Sequence, residues 1–123
     1  PKWIRLMKND EVIPIFGDGK NSRDFCYIEN VIQANMLAAL EKKIKNYEVF
    51  NVAVGKSTNL NQLFKLMSKI FKIKAAKKVY NKPRVGDVRY STADISKIRK
   101  ILNYKPRFTI NSGLKEISNQ QKN

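Results

Sequence analysis

Two arginines carried by glycine-containing turns are the groups in this chain best suited to chemistry. Arg23 follows Gly17-Asp18-Gly19-Lys20-Asn21-Ser22, and Arg84 opens Arg84-Val85-Gly86-Asp87. A guanidinium presents a planar fork of donors that matches a phosphate or a carboxylate in two-point contact. Two forks on separate loops could grip one diphosphate. Each could instead pair a nearby carboxylate, Asp24 or Asp87, and from the residues alone that plainer pairing is the favoured reading.

Composition removes most other chemistry. The chain has no histidine and one cysteine, Cys26. Imidazole bases, Ser-His and Cys-His pairs and His/Cys zinc sites are therefore excluded within it. Its carboxylates are few and scattered, with no pairing suited to general acid-base work. No tyrosine has a lysine four positions later; Tyr104 has Arg107 at three. No catalytic residue and no metal ligand is assigned. Gly17 to Ser22 half-matches the dinucleotide fingerprint G-x-G-x-x-G, which must open a helix so that pyrophosphate meets its N-terminus. Here the third glycine is Ser22, and Arg23 to Ile28 reads as a strand. A hairpin turn is the reading that follows.

The elements that position these groups can be taken in order. Pro1 suits a first helical position, and Trp3, Leu6 and Met7 share one face of a short helix ended by Lys8 to Asp10. Val12 to Phe16 is a strand that Pro14 confines to an edge or a bulge. After the Asp18-Gly19 turn, Arg23 to Ile28 is the next strand. Asn30 caps a helix running to Lys43, with Val31, Ile32, Ala34, Leu37, Ala38 and Leu40 as its buried face. Val49 to Val54 is a strand that completes a βαβ unit.

Asn59 and Gln62 form a capping box before a stripe of Leu60, Leu63, Phe64, Met67, Ile70 and Phe71, which reads as core. Lys77 to Tyr80 is a short strand, and Asn81 to Asp87 a loop. Asp94 caps a helix bearing Ile95, Ile98, Ile101 and Leu102, which Asn103 ends in the left-handed conformation and Pro106 keeps from resuming. A last helix begins near Thr109 with Ile110, Leu114 and Ile117 on one side, and the tail from Ser118 to Asn123 should fray. The fold class is α/β, short strands packed with about five helices in a single domain spanning 1–123.

The charge balance points to a partner. With 25 Lys+Arg against 10 Asp+Glu the net charge is +15, so an anion is expected: nucleic acid, a phosphorylated small molecule or a charged domain outside this chain. The lysines are dispersed and no recognised nucleic-acid motif occurs, so a basic nucleic-acid-binding module is only an alternative. A single cysteine suits a reducing compartment, and no stretch is long and apolar enough to span a bilayer or to act as a signal peptide. The expectation is a cytoplasmic protein without a membrane partner. A chain that opens on Pro1 rather than methionine is expected to be a piece of a longer one.

In order along the chain, Pro1-Lys2-Trp3-Ile4, Ile15-Phe16-Gly17-Asp18-Gly19, Ser22 to Asn30, Gln33-Ala34-Asn35, Phe50 to Gly55, Pro83 to Val88, Ala93 to Lys97 and Leu102 to Pro106 form a set that resembles extended short-chain dehydrogenase/reductases acting on nucleotide sugars. The resemblance is closest to bacterial UDP-N-acetylglucosamine 4-epimerases of surface-polysaccharide synthesis. It covers nearly the whole chain and implies the C-terminal, substrate-binding portion of such an enzyme, with the Rossmann domain absent. NAD and the Tyr-x-x-x-Lys set would lie in that missing N-terminal domain, leaving this portion inactive alone. By the same resemblance Pro14, Ile15 and Phe16 line the uracil, Arg23 and Arg84 hold the diphosphate, and Asp87 sits by the nucleotide. Ser91 stands nearby, where some relatives carry tyrosine. Asn51 would tie loops together rather than touch ligand. The implied full-length enzyme is an NAD-dependent homodimer that epimerises C4 of a UDP-sugar; a dehydratase or decarboxylase of the same superfamily is the alternative.

Overall fold

The apolar spacing of the chain resolves into two small cores joined by short strands, in a computed structural model that describes residues 2–42, 44 and 47–121. Among the described residues there are five helices: α1 (Lys2–Lys8), α2 (Ile28–Leu40), α3 (Leu60–Ile70), α4 (Ser96–Leu102) and α5 (Ile110–Gln120). Four short strands accompany them: β1 (Ile13–Phe16), β2 (Ser22–Arg23), β3 (Thr58–Asn59) and β4 (Lys78–Asn81). The α/β class with about five helices is thus as expected. Pro1, Lys43 and the last two residues of the tail lie outside the described residues, so the expected N1 proline and the fraying at Lys122-Asn123 do too; α2 ends at Leu40, short of the expected Lys43, and Ser118 to Gln120, expected to fray, continue α5.

The first core gathers Ile4, Leu6 and Met7 of α1, Ile13 and Ile15 of β1, and Phe64 and Met67 of α3, with Leu114 and Ile117 of α5 packed against it. The second gathers Ala34 of α2, Ala53, Ile98 and Leu102 of α4, Ile95 and Tyr104. Burying such side chains removes apolar area from water, the main favourable term in folding. The ends of the helices are set locally. Asn59 and Gln62 form the expected capping box, Thr109 and Ser112 form a second, and Asn103 closes α4 at φ 50°. Asp94 serves α4 from one position further out than a cap, its carboxylate accepting from Ser96 N–H at 2.8 Å.

The strand pairings differ from the expectation. No hairpin joins β1 to β2: β1 pairs parallel with β4, Pro14 opposite Val79, and β2 pairs antiparallel with β3. Nor is there the expected βαβ, since 49–54 joins no ladder and of the expected strand Arg23 to Ile28 only Arg23 is strand, in β2, while Ile28 already opens α2. The reason is tertiary. The Gly17–Gly19 turn throws the chain away from β1 instead of back along it, and Ser22 meets Asn59 on one side and Tyr90 on the other. Both strands of the β1–β4 ladder are edges, which is where a proline can sit without costing a ladder bond.

Asn30 does not cap α2 either. That helix begins at Ile28 with Tyr27 at the cap position and no side-chain cap bond. Asn30 is fully buried, donating to Phe108 C=O at 2.8 Å and accepting from Phe108 N–H at 3.0 Å, so its amide is spent on a tertiary clamp. Of the expected buried face of α2, Ala34 is buried, but Ile32 and Leu40 are exposed; with Ile28 and Met36 they form a bare apolar row at four-residue spacing.

Candidate functional site

Alternation along β1 makes one wall of a cavity. Ile13 and Ile15 point into the first core, 0% and 1% exposed, and Pro14 and Phe16 face the other way. Pro14 and Phe16, with Trp3, Leu60, Arg84 and Asp87, enclose a cavity of about 360 Å³. Of the residues expected to line a base, Pro14 and Phe16 are therefore together there. Ile15 can offer that cavity only its main chain.

β2 carries Arg23, which does not line this cavity and meets it only through Asp87. Its Nη2 donates to Asp87 Oδ1 at 2.5 Å and its Nη1 to Ser22 C=O at 2.8 Å, while Asn21 Nδ2 donates to the other Asp87 oxygen at 2.6 Å. Carboxylate pairing thus holds for Arg23, but with Asp87 rather than adjacent Asp24. Consecutive side chains of an extended chain point to opposite sides. Asp24 accordingly turns inward and accepts N–H groups from Val54 at 3.1 Å and Gly55 at 2.8 Å. Arg84 pairs with no carboxylate among the described residues; its guanidinium lies 3.9 Å from the centre of the Phe16 ring, a cation–π contact. Ser91 is exposed and outside the cavity, joined to β2 by its N–H donating to Ser22 C=O at 3.2 Å. Asn51 links loops as expected, donating to Asp94 C=O at 3.2 Å.

A clasp that sequence reasoning missed braces this wall. Arg89 Nη2 donates to Asp18 Oδ2 at 2.8 Å, and Lys20 N–H to Asp18 Oδ1 at 2.9 Å. The Lys20 amide first, and then Arg89, hold the Asp18 carboxyl below its ordinary value. The available signal was that Arg89 follows Asp87 by two residues in the same loop. Cys26, the one thiol, is pushed up by burial, which argues against a reactive role. Among the described residues no group of His, Cys, Asp or Glu could hold a metal ion. What the arrangement can do is bind: an apolar slot with a proline and an aromatic ring, edged by a guanidinium, suits a planar ring carrying an anionic group.

Residues 1–53 match the NAD dependent epimerase/dehydratase family. The chain is similar to a UDP-glucuronate 4-epimerase of Thermodesulfobacterium geofontis, 35% identical over 98% of this chain and 36% of that protein. Among solved structures, UDP-glucose 4-epimerase of Thermotoga maritima, with UDP-glucose, superposes at a TM-score of 0.87 with 36% identity, covering 98% of this chain and 38% of that one. UDP-N-acetylglucosamine 4-epimerase of Methanobrevibacter ruminantium, in complex with UDP-N-acetylmuramic acid, superposes at 0.86 with 35% identity, covering 99% and 38%. The chain thus spans little more than a third of the length of these relatives, and its fold is that of a portion of them.

The described residues do not fit a dinucleotide cofactor. The one Gly-x-G turn leads into β2 rather than a helix, and a Cβ on Gly19 would lie 2.5 Å from the Asn61 amide, leaving no space there for pyrophosphate.

Proposed function

We propose that this chain is the nucleotide-sugar-binding portion of an NAD-dependent UDP-sugar 4-epimerase, with NAD and the reacting groups held by a Rossmann domain elsewhere in the protein. The reading rests above all on one observation. Arg84 borders the same cavity as Pro14 and Phe16, and Asp87 in its wall holds Arg23 at 2.5 Å. In this reading uracil enters against Pro14, the Ile15 main chain and Phe16. The diphosphate is gripped by Arg23 and Arg84, Asp87 orients Arg23 beside the nucleotide, and Ser91 stays at the edge. Anchoring the diphosphate while the hexose is processed is the contribution of this portion. The bare row on α2 and the unladdered 49–54 segment are the surfaces proposed to meet the Rossmann domain, in a cytoplasmic homodimer.

The proposed substrate is UDP-N-acetylglucosamine, converted to UDP-N-acetylgalactosamine for surface polysaccharide; likeness to the Methanobrevibacter enzyme supports the acetylated sugar, and likeness to the Thermotoga enzyme supports plain UDP-glucose. Incubating the full-length protein with each UDP-sugar and reading C4 configuration by proton NMR decides between them. For the site, Arg23→Gln and Arg84→Gln in the full-length protein should each weaken UDP binding about 10- to 100-fold by calorimetry, as loss of a charge-assisted contact should. Unchanged UDP affinity in both variants would overturn the assignment.

A further inference from the structure

Asn61 stands where the two loops that end in Arg23 and Arg84 begin. Its Nδ2 donates to Asp18 C=O at 2.9 Å, and its backbone N–H donates to Gly19 C=O at 3.1 Å. Its Oδ1 accepts from Lys78 Nζ at 3.0 Å and from Tyr80 OH at 2.7 Å. The first pair of contacts falls on the turn that precedes Arg23, and the second on β4, which runs into the loop holding Arg84. The orientation of the amide is fixed by its partners: turning it over would aim its NH₂ at the Lys78 ammonium and its oxygen at a carbonyl.

Packing holds the side chain as firmly as the hydrogen bonds do. Gly19 has φ +73°, and a Cβ there would come within 2.6 Å of both Asn61 amide atoms, so the turn closes directly onto this side chain. On the other side the Lys78 ammonium is held over the Phe64 and Tyr80 rings, 5.2 Å and 5.0 Å from their centres. The second residue of α3 is thereby a rigid post between a partly buried turn before Arg23 and the exposed loop that holds Arg84.

We infer that Asn61 is a positioning residue that sets the separation of the two arginines, and with it the affinity for the diphosphate of a nucleotide; the inference rests on the nucleotide reading given above. Asn61 touches no ligand in this account. A group binding through its base alone would be insensitive to Asn61, whereas one that must be spanned by both guanidinium forks would feel any shift of the post.

The test is a titration of the full-length protein with UDP and, separately, with uridine. Asn61→Ala should lower UDP affinity about tenfold, the range of one or two lost hydrogen bonds, and leave uridine affinity within about twofold. Asn61→Asp keeps the acceptor for Lys78 and Tyr80 but loses the donor to Asp18 C=O, so it should melt somewhat below the wild type, remain folded at the temperature of the titration and still lower the UDP-to-uridine ratio. Equal losses for UDP and uridine would mark a merely structural residue and overturn the inference. So would an unchanged ratio in both variants while Arg23→Gln loses UDP. A wild-type protein that binds UDP no better than uridine would overturn the nucleotide reading itself.

Discussion

Tyr104 carries the largest electrostatic consequence of burial in this chain. Its ring has no solvent exposure, its hydroxyl donates to Ala53 C=O at 3.0 Å, and burial above all pushes its pKa up to about 12. A phenol whose folded value exceeds its unfolded value of about 10 stabilises fully below pH 10, and that contribution is lost as pH rises from 10 toward 12. Tyr104→Phe should therefore cost about 1–3 kcal/mol at pH 8, because Ala53 C=O is left without its partner. The gap between variant and wild type in urea unfolding should narrow by pH 11; a gap constant with pH would refute the account. Among the candidate site residues, that an arginine such as Arg23 could pair a neighbouring carboxylate is legible from residue type. That Arg23 takes Asp87 instead of Asp24 is not, because it depends on which way a two-residue strand faces, and tertiary pairing with Asn59 and Tyr90 decides that.

Helices here are specified by their own sequence, and strands by their surroundings. The capping box at Asn59, the helix start at Thr109 and the left-handed Asn103 are local patterns that appear where the sequence places them, and Thr109 adds a second capping box that sequence reasoning missed. Asn59→Ala should accordingly destabilise the protein by about 1 kcal/mol, seen as a lower urea midpoint with unchanged slope. A neutral result would show that the β2–β3 pairing, not the cap, holds the start of α3. The strands run to four residues at most, too short for periodicity to select a partner. Their pairing follows from which segments the two cores bring together, so a hairpin that looked natural from the Gly17–Gly19 turn gives way to the β1–β4 ladder. Asn30 misled for a related reason: a residue type favoured at caps was used for a buried clamp on Phe108.

The molecule as a whole is unevenly covered. Ile28, Ile32, Met36 and Leu40 leave α2 with an unpartnered apolar edge, 47–71% exposed, beside exposed Val49. Edges of this kind bury themselves when they can. The 14.2 kDa chain alone should therefore self-associate as its concentration rises in sedimentation velocity, and Ile32→Gln with Met36→Gln should return it to monomer. Monomer at every concentration for the unaltered chain would show that the row is tolerated in water. No helix among the described residues is long and apolar enough to cross a membrane. The ion pair between Arg23 and Asp87 has a different consequence, one of timing. Its partners lie 64 positions apart. During synthesis the first half of the wall, Pro14 to Arg23, leaves the ribosome well before Arg84 and Asp87 exist. Until a loop of that length closes, Arg23 lacks Asp87, and closing it carries an entropic cost that local helices do not face.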